Sequence, residues 1–199
     1  MTLVLASGSA IRRQLLSNAG LSFEVAPAQI DERAAEEPLL SAGAKPEDVA
    51  LALAMAKALS VSEIRPGDLV IGADQVLDFE GERLIKPADM DAARRQLLRL
   101  AGRTHRLCSA VACARGGDII WQCVDTAALK MRPLQPAAAS HYLARAGEAV
   151  LQSVGAYQLE GLGVQLFERI EGDYFAILGL PLLPLLGFLR GRDVEGVLC

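Results

Sequence analysis

The chain has 199 residues, of which 52% are hydrophobic and 22% charged, and 20 Lys and Arg against 24 Asp and Glu give a formal net charge of −4. We expect a single domain over residues 1–199 with a sizeable core, and the apolar fraction excludes a disordered chain. The acidic balance argues against a nucleic-acid-binding protein, because wrapping phosphate backbones needs a broad basic surface. A small phosphorylated ligand needs only a few local cations.

The cysteines and the apolar runs predict a soluble cytoplasmic protein. No spacing typical of a metal site joins the cysteines, which we expect to be reduced thiols: Cys108, Cys113, Cys123 and Cys199. The longest apolar stretch, residues 174–189, is shorter than the roughly 20 residues of a membrane span and contains two prolines. The amino terminus lacks the basic region of a signal peptide. We therefore expect no membrane association.

Short apolar runs alternate with helical patterns in the first half of the chain. Gly20 ends the first helix, Pro46 is well placed as a first helical residue, and the turn at residues 80–82 predicts a hairpin. In chain order we predict strand 2–7, helix 10–19, strand 23–30, helix 46–59, strand 69–79 and a return strand 83–85.

The second half continues in the same way. Asp89 is a predicted helix cap, and two adjacent glycines, Gly116 and Gly117, predict the turn of a long hairpin. The predicted elements are helix 90–100, strands 106–114 and 119–131, helix 135–145, strands 163–170 and 174–178, and helix 182–189. Because hairpins are interleaved with crossover helices, the pattern predicts an α/β fold with a mixed sheet and flanking helices.

The first strand–turn–helix unit is a candidate anion site. A strand that ends in Ser7-Gly8-Ser9 and opens a helix directs free backbone N–H groups and the positive end of the helix dipole outward. Arg12 and Arg13 lie in the first helical turn, where a bound anion would offset their repulsion by the dipole. The alternative is that Ser9 is an ordinary helix cap and both arginines are solvated.

Acidic residues interrupt or end two apolar runs. Asp74 and Gln75 lie within the predicted strand 69–79, where a carboxylate is costly unless it is paired, hydrogen-bonded or bound to metal. Asp31 and Glu32 follow the predicted strand 23–30. Carboxylates at the ends of neighbouring strands suit one hard divalent cation such as Mg²⁺. Alternatively, Asp31 or Glu32 simply caps the next element.

Isolated polar residues complete the candidate site. Lys57 lies within an apolar helical run, Lys86 ends the hairpin return, and Glu160 lies in a polar loop. A lone lysine usually extends to solvent. A phosphate cradle with several carboxylates and cations favours metal-assisted hydrolysis or transfer at phosphorus over acyl or redox chemistry.

Taken together, these motifs resemble the Maf family of nucleoside triphosphate pyrophosphatases. Their order and spacing make the combination specific over nearly the whole chain. The matching pieces are LASGSAIRRQLL from Leu5, IDE from Ile30, the lysine of AMAKA, IGADQVL from Ile71, IKP from Ile85, LAGRTH from Leu100, VGAYQLEGLG from Val154 and ILGLPLLPL from Ile177.

The resemblance implies an α/β fold similar to that of inosine triphosphate pyrophosphatases, with two lobes around a central cleft, and commonly a homodimer. The implied reaction converts a nucleoside triphosphate to the monophosphate and pyrophosphate with Mg²⁺ or Mn²⁺. Asp74 is the implied proton acceptor, and Glu32 holds the metal or orders the water. The predicted substrate-binding residues are Ser7, Ser9, Ile11, Arg12, Gln75 and Glu160, the catalytic ones Glu32, Lys57, Asp74 and Lys86, and the metal ligands Glu32 and Asp74.

Three positions bear on the choice of base. Gln75 and Glu160 resemble the branch of the family that acts on 7-methyl-GTP, whereas Ile11 departs from it, since that branch has an aromatic residue there. A carboxylate accepts two hydrogen bonds from the Watson–Crick edge of guanine, and N7 methylation strengthens them. We therefore expect 7-methyl-GTP or another modified nucleotide as substrate. The alternatives are a dTTP/UTP pyrophosphatase and a non-catalytic nucleotide-binding regulator of cell division.

Overall fold

A mixed sheet of seven strands is the centre of the computed structural model, which describes residues 1–192 and 194–198. The strand order is β2-β1-β3-β5-β6-β7, with β4 also beside β3. β1 pairs parallel with β2 and β3, and the other pairs are antiparallel, which confirms the predicted mixed α/β sheet. The strands are β1 (Leu3–Leu5), β2 (Glu24–Val25), β3 (Leu69–Phe79), β4 (Glu82–Leu84), β5 (Thr104–Arg115), β6 (Asp118–Met131) and β7 (Phe167–Glu171).

Helices cover both faces of the sheet. The helices are α1 (Ala10–Asn18), α2 (Glu32–Ser41), α3 (Pro46–Ser62), α4 (Met90–Leu100), α5 (Pro136–Ala146), α6 (Tyr174–Ile177) and α7 (Leu182–Leu189). On one face, small and branched side chains of α3 such as Leu53 and Ala54 pack against alanines of β5. The larger core lies on the other face, where leucines of β1, α4 and α7 meet.

The edge of β3 is open in the middle of the strand. β5 pairs with β3 continuously from Val70 to Asp78 on one side. On the other side β1 pairs only with residues 69–71 and β4 only with residues 77–79. Residues 72–76 therefore have no strand beside them there, and their outward polar groups need other partners.

Helix α3 lies unusually close to the middle of β3 at Gly72. A Cβ at this position would overlap the backbone carbonyl of Ala54 and lie 2.9 Å from the Cβ of Ala58. Only a residue without a side chain lets the helix backbone approach the strand this closely. Gly72 thereby sets the distance between α3 and the polar residues that follow it on β3.

Three predicted strands differ from the observed structure. In the predicted strand 174–178, residues 174–177 form helix α6, because the Asp173 carboxylate caps the turn by accepting a hydrogen bond from the N–H of Ala176 at 2.9 Å. The predicted strand 23–30 is only Glu24–Val25, since its neighbour β1 has three residues and Pro27 has no N–H to donate. In the predicted strand 163–170, a 3₁₀ turn (Leu162–Leu166) precedes β7.

Helix α2 was absent from the sequence-based prediction. None of its ten residues is buried and Pro38 lies inside it, so it lacks the buried apolar face by which a helix is recognised in a sequence. The Asp31 carboxylate caps it by accepting from the N–H of Ala34 at 3.0 Å. Asp31 is therefore a helix cap, which was the alternative role considered for it, and Glu32 is the first helical residue.

Cys108, Cys113 and Cys123 are free thiols, as expected, and Cys199 lies outside the described residues. Among residues 1–192 and 194–198, no helix has the length and apolar character needed to cross a bilayer.

We predict that Gly72→Ala destabilises the fold by roughly 3 kcal/mol, because the added methyl forces α3 away from β3. The free energy of unfolding from urea denaturation measures this loss. Gly187→Ala is the matched control: this exposed glycine of α7 has no atom near its missing Cβ, and the variant should be neutral or up to about 1 kcal/mol more stable. Equal stabilities for the two variants would contradict the close packing of α3.

Candidate active site

A cleft of about 750 Å³ opens at the unpaired edge of β3. It brings together the ten residues to which the sequence analysis gave catalytic, substrate-binding or metal-binding roles, although they come from four elements and three loops. Four basic and three acidic side chains line it. The predicted residues on its wall are Ser7, Ser9, Ile11, Arg12, Glu32, Lys57, Asp74, Gln75, Lys86 and Glu160.

The turn between β1 and α1, where the sequence predicts an anion cradle, lines the cleft. Ser9 is the N-cap of α1, and its hydroxyl accepts from the N–H of Arg12 at 3.4 Å, while the Ser7 hydroxyl accepts from the N–H of Ser9 at 3.3 Å. Ser9 is thus a helix cap, yet it also lines the cleft. Arg13 is exposed, whereas Arg12 is buried, so the two arginines have different roles.

Arg12 covers the open edge of β3. Its Nη1 donates to the carbonyl oxygen of Ala73 at 2.8 Å and to the Ser7 hydroxyl at 3.3 Å, and its Nε donates to the carbonyl of Gly179 at 2.7 Å. Burial lowers the pKa of Arg12 from its ordinary value, and the negative charges of Asp74 and Glu32 oppose that shift. Nη2 has no protein hydrogen-bond acceptor among the described residues, so it is the group left for a ligand.

Lys57 joins the two predicted carboxylates of the site. Its Nζ lies 2.6 Å from Asp74 Oδ1 and 2.7 Å from Glu32 Oε1. Lys57 and Asp74 are nearly buried, with side chains 11% and 10% exposed, whereas the Glu32 side chain is 51% exposed. Desolvation opposes ionisation of Glu32, but the hydrogen bond from Lys57 and the charges of Lys57, Lys86 and Arg12 outweigh it, so the pKa of Glu32 lies below its ordinary value.

The donor set of this cluster fits a hard divalent cation. The carboxylates of Glu32 and Asp74 both contact the ammonium group of Lys57, so the two carboxylates lie close to each other. Mg²⁺ commonly takes one or two protein carboxylates and completes its shell with water and substrate phosphate oxygens. Within residues 1–192 and 194–198, no group of three acidic, His or Cys side chains forms a complete metal site. A cation here would therefore depend on substrate oxygens.

Gln75 links the cleft to helix α6. Its amide nitrogen donates to the Ser109 hydroxyl at 2.9 Å and to the carbonyls of Ala176 and Ile177 at 3.2 and 2.9 Å. These bonds hold the end of α6 against the sheet. The amide oxygen of Gln75 is the part that remains for a ligand.

The loop of residues 152–160 forms another wall of the cleft. It carries the exposed Glu160 and, in the same polar loop, Gln158, together with two polar residues to which the sequence analysis gave no site role, Gln152 and Ser153. The carbonyl of Gln158 accepts from the N–H groups of Gly161 and Gly163 at 3.2 and 3.1 Å, which folds the loop back on itself. The two adjacent polar residues at the start of this loop were the sequence signal available for Gln152 and Ser153.

A buried pair anchors this loop to the sheet. The Tyr157 hydroxyl lies 2.7 Å from Nε2 of His105 on β5, and the Tyr157 ring packs edge-on against Phe167 at 4.8 Å. Gly155 leaves the space that the Tyr157 ring occupies. Burial lowers the pKa of His105 to about 4, so the imidazole is neutral near pH 7. His105 therefore positions the loop through a neutral hydrogen bond and does not contact the cleft.

Known proteins match this chain over nearly its whole length. A family model described as Maf-like protein matches residues 2–192. A 7-methyl-GTP pyrophosphatase of Mesorhizobium japonicum is 57% identical over 188 residues, which cover 94% of each chain. A nucleoside triphosphate pyrophosphatase of Caulobacter vibrioides is 53% identical over 186 residues, 94% of this chain and 93% of that one. Another, of Granulibacter bethesdensis, is 49% identical over 190 residues, 96% of each chain.

We predict that the buried His105 makes the free energy of unfolding decrease as the pH falls. The unfolded chain binds a proton near the ordinary pKa of 6.5, but the folded chain does so only near 4, so stability is lost as pH falls between these values. His105 accounts for about 2 kcal/mol of the loss between about pH 7.5 and 5. Urea denaturation of wild type and His105→Gln at both pH values measures the difference.

The exposed His141 on α5 provides the matched control for this measurement. His141→Gln should keep the wild-type loss of stability, whereas His105→Gln should show about 2 kcal/mol less. If His105→Gln loses as much stability as wild type, the imidazole is not held neutral by burial.

Proposed function

The chain belongs to the Maf-like protein family, and on this basis we propose that it is a pyrophosphatase that hydrolyses a nucleoside triphosphate to the monophosphate and pyrophosphate. Its preferred substrate is 7-methyl-GTP. The observation that carries the proposal is the cluster of Asp74, Lys57 and Glu32, which lies in one cleft with the buried Arg12. A carboxylate beside several cations is the arrangement that water attack on a polyphosphate needs.

Asp74 is the general base of the proposed reaction. A water molecule gives its proton to the Asp74 carboxylate and forms a bond to the α-phosphorus, while the bond from that phosphorus to the bridging oxygen breaks and pyrophosphate leaves. Lys57 holds the base, since its ammonium contacts Asp74 Oδ1 at 2.6 Å. Arg12 is held by main-chain carbonyls, so its charge is oriented before the substrate arrives.

The basic residues of the cleft stabilise the charge that develops on the leaving group. Arg12, Lys57 and Lys86 converge on the cleft wall with the N-terminal turn of α1. A preorganised cluster of positive groups stabilises a departing pyrophosphate more than it stabilises the intact substrate. The N–H group of Gly8, which also lines the cleft, adds an uncharged donor to the same wall.

Mg²⁺ or Mn²⁺ is the proposed cofactor, held by Glu32 and Asp74. Four basic against three acidic side chains leave the cleft one positive charge in excess, which falls short of the several negative charges on a triphosphate. When bound, a divalent cation supplies Lewis-acid polarisation of phosphoryl oxygens. Glu32 suits this role because it is half exposed and its pKa is lowered, so it carries its charge at neutral pH.

Glu160 is the proposed selector of the base. Its carboxylate is exposed on the loop that lines the cleft, where it can accept two hydrogen bonds from a guanine edge. One of the three relatives described above, from Mesorhizobium japonicum, is named a 7-methyl-GTP pyrophosphatase. The homodimer and the cytoplasmic location predicted from the sequence stay predictions.

We predict that pyrophosphate release with Mg²⁺ is faster for 7-methyl-GTP than for dTTP and UTP, because Glu160 complements a cationic guanine and not a pyrimidine. A screen of canonical, methylated and deaminated nucleotides at equal concentration measures the order. Glu160→Gln, which removes the charge but keeps the shape, should reduce the preference for 7-methyl-GTP by about tenfold. The reverse order in wild type would contradict the base assignment and leave the mechanism intact.

We also predict that Asp74→Asn lowers kcat by roughly 10²- to 10⁴-fold, since an amide cannot accept the proton of the attacking water. Binding of the nucleotide should be retained, because the basic residues of the cleft keep their charges and Glu32 still holds the divalent cation. Steady-state kinetics and calorimetric titration measure the two quantities.

Asp89→Asn is the control, because asparagine caps α4 as well as aspartate does and Asp89 does not line the cleft. If the wild type binds nucleotides but releases pyrophosphate from none of them, the hydrolase assignment fails and the regulator alternative is favoured.

A further inference from the structure

Arg83 is a basic residue of the cleft that neither the motifs nor the proposed mechanism uses. It lies on β4 before Leu84, which is buried in the core, so alternation along the strand puts Arg83 on the opposite face. Its cross-strand neighbour is Asp78, which shares a face of β3 with Asp74, four residues earlier. Arg83 therefore lies on the side of the sheet where Lys57 meets Asp74, and it lines the cleft.

Glu36 on helix α2 forms an ion pair with Arg83. The pair is well shielded, since the two side chains are 14% and 22% exposed. Glu36 follows Glu32 by four residues, so both carboxylates lie on one face of α2, and Glu32 contacts Lys57. Helix α2 thus offers two acidic groups to two cations of the cleft, while none of its own residues is buried.

The cations of the cleft differ in what holds them. Arg12 is bound to main-chain carbonyls that a substrate cannot displace without breaking the fold. Lys57 and Arg83 are bound to carboxylates on α2, and a phosphate group can replace such a carboxylate without loss of ion pairing. A guanidinium matches a phosphate through two parallel hydrogen bonds, which makes Arg83 the stronger candidate for the exchange.

We propose that Arg83 binds the triphosphate of the substrate and that Glu36 occupies Arg83 until the substrate displaces it. The identity of the substrate rests on the proposed function, but the exchange applies to any polyphosphate that enters the cleft. Arg83 supplies positive charge to the bound phosphates. Glu36 competes with them, so its carboxylate lowers affinity in the free protein, and its release loosens the contact of α2 with β4.

The test compares Arg83→Gln, Glu36→Gln and the double variant. Arg83→Gln should raise KM for 7-methyl-GTP and weaken calorimetric binding of inorganic tripolyphosphate by about tenfold each, with kcat little changed. Glu36→Gln should act in the opposite direction, with both quantities improved by about threefold. In the double variant the effect of Glu36→Gln should vanish, because Arg83 is no longer present to be released.

A merely structural ion pair gives a different pattern, since either single substitution would then break it and both would weaken binding. Two control substitutions each remove one charge elsewhere. Arg99→Gln removes a surface guanidinium of α4 that pairs with Glu82 of β4, and Glu37→Gln removes an exposed carboxylate of α2. Both should leave KM and tripolyphosphate binding within about twofold of wild type.

The outcomes separate the two proposals. Weaker tripolyphosphate binding in both Glu36→Gln and Arg83→Gln, or unchanged binding in both, overturns the role of Arg83. If the opposite shifts in tripolyphosphate binding occur and wild type hydrolyses no nucleotide, the role of Arg83 is supported and the pyrophosphatase function fails.

Discussion

The contact between Lys57 and Asp74 is the constraint on which the site depends. A carboxylate in the middle of a buried strand is tolerated only with a charged or hydrogen-bonded partner, and the partner here is an ammonium group 2.6 Å away. That partner comes from α3, which reaches the strand because Gly72 has no side chain to keep the helix away. The same lysine also holds Glu32 and therefore the start of α2. Packing of a small residue thus decides where the charges of the cleft meet.

The open edge of β3 explains why the cleft lies where it does. Sheet edges are normally paired or covered, and two short neighbours, β1 and β4, leave residues 72–76 without a strand. Arg12 covers part of this gap by donating to the carbonyl of Ala73, so one side chain both satisfies the backbone and brings charge to the cleft. A buried guanidinium fixed by carbonyls has little freedom to lose on binding, which suits a group that orients phosphate.

Much of the architecture follows from periodicity and turn chemistry. β3, α3, α4 and the hairpin of β5 and β6 agree with the prediction because long runs and clear end signals specify them. Residues 174–178 were misassigned because a short run of apolar residues fits a buried helix as well as a buried strand. Only the cap by Asp173 distinguishes the two. Helix α2 could not be found by periodicity, since none of its residues is buried and ion pairs of Glu32 and Glu36 supply its contacts with Lys57 and Arg83.

The candidate site residues, from Ser7 to Glu160, could be predicted from the sequence by itself, because the order and spacing of their motifs resemble those of the Maf family. The tertiary structure alone decided their partners. The Nε of Arg12 bonds to the carbonyl of Gly179, 167 residues away, and His105 meets Tyr157 across 52 residues. The exchange of Arg83 between Glu36 and a phosphate likewise needs β4 beside α2. Local patterns report what a side chain can do, and only the packing of distant segments determines which group it contacts.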